Sequence, residues 1–132
     1  MNRTNEQHMV VLVDDEPAVL AALRRSLARE RYLVLTTSRP HEALRWVEAL
    51  DVSAVVSDER MPGMTGSELL RRVQDRSPAT ARIILTAFGA PVAQQPEARQ
   101  SAEFMIAKPW DDSMLRRALR DLLSDREQGG SE

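Results

Sequence analysis

The chain has 132 residues, 18 of them basic and 20 acidic, a net charge of −2 and no cysteine. That length supports one domain with one core. The absence of cysteine excludes disulfides, thiolate metal sites and cysteine nucleophiles, and the charge supplies no global field toward nucleic acid. Residues 1–8 lack the apolar run of a signal peptide, and nothing approaches the roughly 18 apolar residues of a membrane span. A soluble, cytoplasmic protein is expected, with no membrane partner and no direct nucleic-acid contact.

Val10–Val13 reads as a first strand that stops at Asp14-Asp15-Glu16-Pro17. Pro17 suits a helical first turn, and Val19, Leu20, Leu23 and Leu27 recur at helical spacing, so a helix is expected to about Glu30. Tyr32–Thr36 reads as a second strand. Pro40 opens a second helix, with Ala43, Leu44, Val47 and Leu50 inward. Val52–Ser57 is a third strand and again delivers an acid, Asp58. Thr65-Gly66-Ser67-Glu68 has capping-box spacing for a third helix, which Ser77-Pro78 ends. Arg82–Leu85 is a fourth strand ending at Thr86, and Phe104–Ala107 a fifth ending at Lys108. Asp111 or Asp112 caps a last helix with Leu115, Ala118, Leu119, Leu122 and Leu123 on one face. Residues 126–132 read as a polar tail or linker, and residues 1–8 as a flexible arm before a domain over 9–125.

Short apolar strands alternating with amphipathic helices indicate an α/β fold, its parallel sheet covered on both faces. Ligands of such sheets bind beyond the carboxyl ends of the strands. Four of the five strands end there in phosphate-handling groups: Asp14 and Asp15, Asp58, Thr86 and Lys108. Strands lie about 4.8 Å apart, so these groups can converge. Three carboxylates repel unless a cation sits among them, and an oxygen-only set favours Mg²⁺. One carboxylate can then attack phosphorus, while the lysine and the Thr86 hydroxyl serve the phosphoryl oxygens. Lys108 is the sole lysine beside 17 arginines. Genome composition accounts for the arginines, mostly solvated faces; a compact ammonium at a strand end asks for its own reason.

From residue 9 to about 125 the chain resembles the response-regulator receiver domains of two-component signalling. The resemblance rests on Asp14-Asp15, the run from Ser57-Asp58 through Met61-Pro62-Gly63 to Thr65-Gly66, Leu85-Thr86-Ala87 and Lys108-Pro109-Trp110. It implies a doubly wound, flavodoxin-like (βα)5 fold with strand order 2-1-3-4-5. Asp58 would be the phosphoacceptor. Asp15 and Asp58 would bind Mg²⁺ directly, Asp14 through water, and Arg60 through its main-chain carbonyl. Lys108 would hold a phosphoryl oxygen, Thr86 would be the switch hydroxyl, and Lys108–Pro109 would be cis. A histidine kinase or histidine phosphotransfer protein would donate the phosphoryl group. An output domain in a longer chain and a second copy are the other partners the family admits. The domain would assist its own phosphorylation and dephosphorylation without a separate enzymatic output.

Where many members carry an aromatic switch residue three positions before the lysine, this chain has Met105, with Phe104 one residue earlier and so on the other face. Pro91 and Pro96 cannot both sit in one long fourth helix, which is expected to be short, starting near Pro96, or loosely ordered. Arg60 and Phe88 stand where members vary and tune phosphate lifetime. Trp46 and Trp110 read as packing residues, and His8 and His41 carry no chemical role. Two rival readings are a receiver-like interaction module that is never phosphorylated and an aspartate-nucleophile phosphatase. The latter usually carries Asp-x-Asp after its first strand, which this chain lacks.

Overall fold

The apolar runs form five parallel strands in the computed structural model, which describes residues 8–87 and 96–130, with side chains at 8–87 and 99–126. The strands are β1 (Met9–Val13), β2 (Leu33–Thr37), β3 (Ala54–Asp58), β4 (Ala81–Ala87) and β5 (Phe104–Lys108). Between and after them run α1 (Pro17–Ser26), α2 (Pro40–Ala49), α3 (Gly66–Arg76), α4 (Pro96–Ser101) and α5 (Asp112–Gly130). The sheet order is β2-β1-β3-β4-β5, all parallel. Strand order reverses between β1 and β3, which opens a crevice at their carboxyl ends.

Alternation along the strands builds two cores. Val10, Leu12, Val56, Ile83, Leu85 and Ile106 meet Leu23 and Leu27 near α1 and Leu115, Leu119 and Leu123 of α5. Val11, Val13, Val55 and Ile84 meet Ala43, Leu44 and Val47 of α2 and Leu69, Leu70 and Val73 of α3. Truncating a fully buried leucine such as Leu119 to alanine costs about 2–5 kcal/mol. No helix among the described residues is long and apolar enough to cross a membrane.

Several boundaries differ from the sequence reading. Helix α1 stops at Ser26, short of Glu30, because the chain tightens there: the Leu27 N–H is shared between the carbonyls of Leu23 and Arg24, and Ala28 and Glu30 bond three residues back. Helix α5 continues through 126–130, where a polar tail was expected. Of the two candidate caps of α5, Asp111 serves, its Oδ1 accepting the N–H groups of Ser113 at 2.8 Å and Met114 at 3.2 Å. Helix α4 is short and starts at Pro96, one of the two outcomes expected; Pro91 and Phe88 lie outside the described residues. Met105 packs against the α2–α3 core while Phe104 is 40% exposed, as the one-residue offset requires.

Arg82 departs from the reading of the arginines as solvated. It is buried on β4 and donates to the Ser101 carbonyl at 3.3 Å. Glu103, just before β5, accepts from the Arg82 N–H at 3.1 Å and pairs with Arg126 of α5 at 2.5 Å. These contacts fasten the start of β5.

Candidate functional site

Asp14 leaves β1 with its N–H still bonded to the Thr37 carbonyl, at 3.2 Å, so the β-ladder carries it to the sheet edge. Its side chain is fully buried. Oδ1 accepts the Glu16 N–H at 2.9 Å, and Oδ2 stands 3.1 Å from Lys108 Nζ. Asp58 is the last residue of β3, and its Oδ1 lies 3.0 Å from the same ammonium. One lysine at the end of β5 thus bridges acids delivered by β1 and β3.

Burial raises the Asp14 carboxyl above its usual pKa, outweighing the Glu16 N–H and Lys108 hydrogen bonds that lower it. Burial works against the charge on Lys108, but hydrogen bonds to Asp58 and Asp14 carry its pKa above the ordinary lysine value. The ammonium stays protonated at neutral pH.

A cleft of about 700 Å³ opens over this pair, walled by Asp15, Asp58, Arg60, Thr86 and Lys108, with Met61, Pro62 and Ala87 as its apolar part. Asp14 lies beneath the cleft and not in its wall. The carboxylate oxygens of Asp14, Asp15 and Glu16 lie within 4.8 Å of one another; Asp58 joins them through Lys108. Asp14 and Asp58 share one ammonium, and with Asp15 and Glu16 beside them negative charge stays in surplus even with Arg60 in the cleft wall. Asp15 has no protein partner among the described residues. Oxygen donors with surplus negative charge fit a hard divalent cation such as Mg²⁺. Glu16, to which the sequence pattern assigns no role, adds a third, exposed carboxylate to the Asp14-Asp15 pair.

The turn after Asp58 is built with little slack. The Gly66 N–H donates to the Glu59 carbonyl at 2.9 Å, and Gly63 takes φ +83°. A Cβ on Gly66 would stand 2.2 Å from the Asp58 carbonyl oxygen. The Glu59 carboxylate accepts the Ser67 N–H at 2.7 Å and its hydroxyl at 2.8 Å, and Thr65 Oγ1 accepts the Glu68 N–H at 3.1 Å. Together these satisfy the first turn of α3. The sequence reading placed Glu59 and Gly66 in the run after Asp58 but assigned neither its contact; a glycine at the first helical position, where a helix former is expected, was a signal of the close approach.

Lys108–Pro109 is cis, as the resemblance implied. Trp110 packs on the α1–α5 core and also donates from Nε1 to Ser26 Oγ at 2.8 Å, more than a packing role. His8 is buried at the far end of β1, with Nδ1 2.9 Å from Ser53 Oγ, remote from the cleft.

The sequence profile of the response regulator receiver domain matches residues 10–120. The chain is 35% identical over 114 residues to the transcriptional regulatory protein GlrR of Escherichia coli K12, 86% of this chain and 26% of that protein. It is 33% identical over 125 residues to the transcriptional regulatory protein FixJ of Azorhizobium caulinodans, 93% of this chain and 59% of that protein. Among solved structures, the signal receiver domain of an HD domain-containing protein from Pseudomonas fluorescens Pf-5 superposes with TM-score 0.88 at 27% identity, over 100% of this chain and 98% of that one. The chain thus spans about a quarter of the first of these curated regulators and under two-thirds of the second.

Proposed function

This chain belongs to the response regulator receiver domain family, and from that membership we propose that it accepts a phosphoryl group on Asp58 and passes the change on as a signal. The observation that carries the reading is the bridge from Lys108 to Asp14 and Asp58, at 3.1 and 3.0 Å, on the rim of a cleft that also holds Asp15 and Thr86. An Asp58 carboxylate oxygen attacks phosphorus, the phosphorus–nitrogen bond of a phosphohistidine breaks, and the imidazole leaves with its electron pair. Lys108 offsets charge on the phosphoryl oxygens, and the Thr86 hydroxyl donates to one of them. Water attacking the same phosphorus later returns Asp58 and inorganic phosphate.

Asp15 and Asp58, with the Arg60 main-chain carbonyl and with Asp14 behind them, would hold Mg²⁺. The ion would supply charge neutralisation at the transferring group. The donor is a histidine kinase or histidine phosphotransfer protein in the cytoplasm, and the output belongs to a longer regulator or to a partner, not to a separate active site here. With Met105 in place of an aromatic residue, Thr86 carries the switch alone.

Incubation with acetyl phosphate and Mg²⁺, followed by intact mass, tests the reading. The wild-type chain gains one phosphoryl mass and Asp58→Asn gains none. No gain on wild type would favour the interaction module, and turnover of a phosphomonoester would favour the phosphatase.

A further inference from the structure

We infer that Ser26 and Trp110 form a lock that positions Lys108, making both positioning residues for the phosphoryl site. Lys108 is the last residue of β5, an edge strand paired on one side only, with β4. Pro109 follows and has no N–H with which to extend the ladder. The end of an edge strand frays unless the next segment is tied down.

Here the tie is concentrated on one residue. Ser26 is 3% exposed. Its hydroxyl accepts the Trp110 indole N–H at 2.8 Å and stands 2.5 Å from Asp112 Oδ1, nearer than the competing Ala22 carbonyl at 3.1 Å. Its carbonyl accepts from the Arg116 guanidinium at 3.1 Å. Indole, hydroxyl and carboxylate run donor to acceptor in one chain that ends on a charged oxygen, an arrangement that strengthens each bond. Trp110 and Asp112, the first and third residues after Pro109, and Arg116 in the first turns of α5 are thereby pinned to the end of α1. Since α1 begins two residues after Asp15, one helix ties both the acidic side of the site and the segment that carries the lysine.

The inference rests on the proposed role of Lys108, but its test needs no phosphodonor. Lys108 is the only lysine, so acetylation by an N-hydroxysuccinimide ester, followed by peptide mass to set the α-amino group aside, reads how readily its amine leaves the Asp14 and Asp58 ion pairs and loses its proton. Trp110→Phe keeps the ring and loses the N–H; Ser26→Ala loses the hydroxyl. Each raises the Lys108 labelling rate about two- to tenfold, the scale of one hydrogen bond, and the double variant adds little further. Leu44→Ala, a truncation in the α2–α3 core on the opposite face of the sheet, supplies a control of equal or greater destabilisation with labelling near the wild-type rate.

Wild-type labelling in both lock variants, or an equal rise in Leu44→Ala, overturns the lock while leaving the phosphorylation reading intact. Where labelling rises as expected, phosphorylation of Trp110→Phe by acetyl phosphate slows severalfold with the Mg²⁺ dependence unchanged. An unchanged rate there also counts against the positioning role.

Discussion

A Cβ on Gly66 would come within 2.2 Å of the carbonyl oxygen of Asp58. The first residue of α3 is therefore seated against the main chain of the proposed phosphoacceptor. Gly66→Ala must push β3 and α3 apart, since the obstruction is backbone and cannot rotate away. Overpacking of this kind costs about 1–3 kcal/mol. Urea denaturation should show that loss, and acetyl phosphate should modify Asp58 more slowly. Unchanged stability together with an unchanged rate would show that the turn can yield.

Asp15 stands in the cleft wall with two neighbouring carboxylates and, among the described residues, no basic side chain paired to it. Asp15→Asn should raise the melting temperature of the metal-free protein, because the two acids beside Asp15 repel it and no cation pairs with it among the described residues. Mg²⁺ should raise that of the wild type, by the equivalent of about 2.7 kcal/mol at a hundredfold excess over Kd. Asp15→Asn should lose most of this response. A melting point indifferent to Mg²⁺ would count against the metal site.

Glu59 accepts both the N–H and the hydroxyl of Ser67, a fully buried residue. Glu59→Ala leaves two buried donors without their acceptor, at a cost of about 1–3 kcal/mol. Glu59→Gln keeps one acceptor oxygen and should recover part of it. Thr65→Ala, which removes the cap on Glu68, should cost about 1 kcal/mol. Equilibrium unfolding separates the three variants.

Asp111 is held below the usual carboxylate pKa, chiefly by the Ser113 hydroxyl and then by the N–H groups of Met114 and Ser113. A carboxyl with a lowered folded pKa binds its proton more readily in the unfolded chain. Its stabilising contribution is whole above the ordinary aspartate pKa of about 3.9 and is lost as pH falls through the lowered value. Thermal melts should show Asp111→Ala less stable than wild type at neutral pH, with the gap narrowing as the solution is acidified below that point. A gap independent of pH would place the loss elsewhere.

Most of the fold was legible because strands and helices differ in period, and the two cores follow from that alternation. The strand-end acids, Thr86 and Lys108 were legible for the same reason: residue type changes abruptly where each apolar run stops. What escaped the sequence depended on residues meeting across it. Arg82 looks like any surface arginine until Ser101 and Glu103 fold beside it. Gly66 looks like a weak helix start until Asp58 is seen above it. Trp110 looks apolar until Ser26, 84 residues earlier, offers it an acceptor. Helix ends were the least legible, since a shared hydrogen bond at Leu27 ended α1 and no breaker marked the place.

Strand β5 offers little grease for finding its place: of Phe104 to Lys108, only Ile106 is fully buried. Its two ends are held by ions, Glu103 to Arg82 and Arg126 at the start, Lys108 to Asp14 and Asp58 at the finish. A chain that docked this strand one notch out of line would turn Lys108 toward the wrong side of the sheet and pull Glu103 off both arginines at once. Mispaired forms are thus rejected by charge as well as by the loss of Ile106 from the core, and strong salt should weaken the first of these, making refolding more error-prone before it makes the finished molecule unstable.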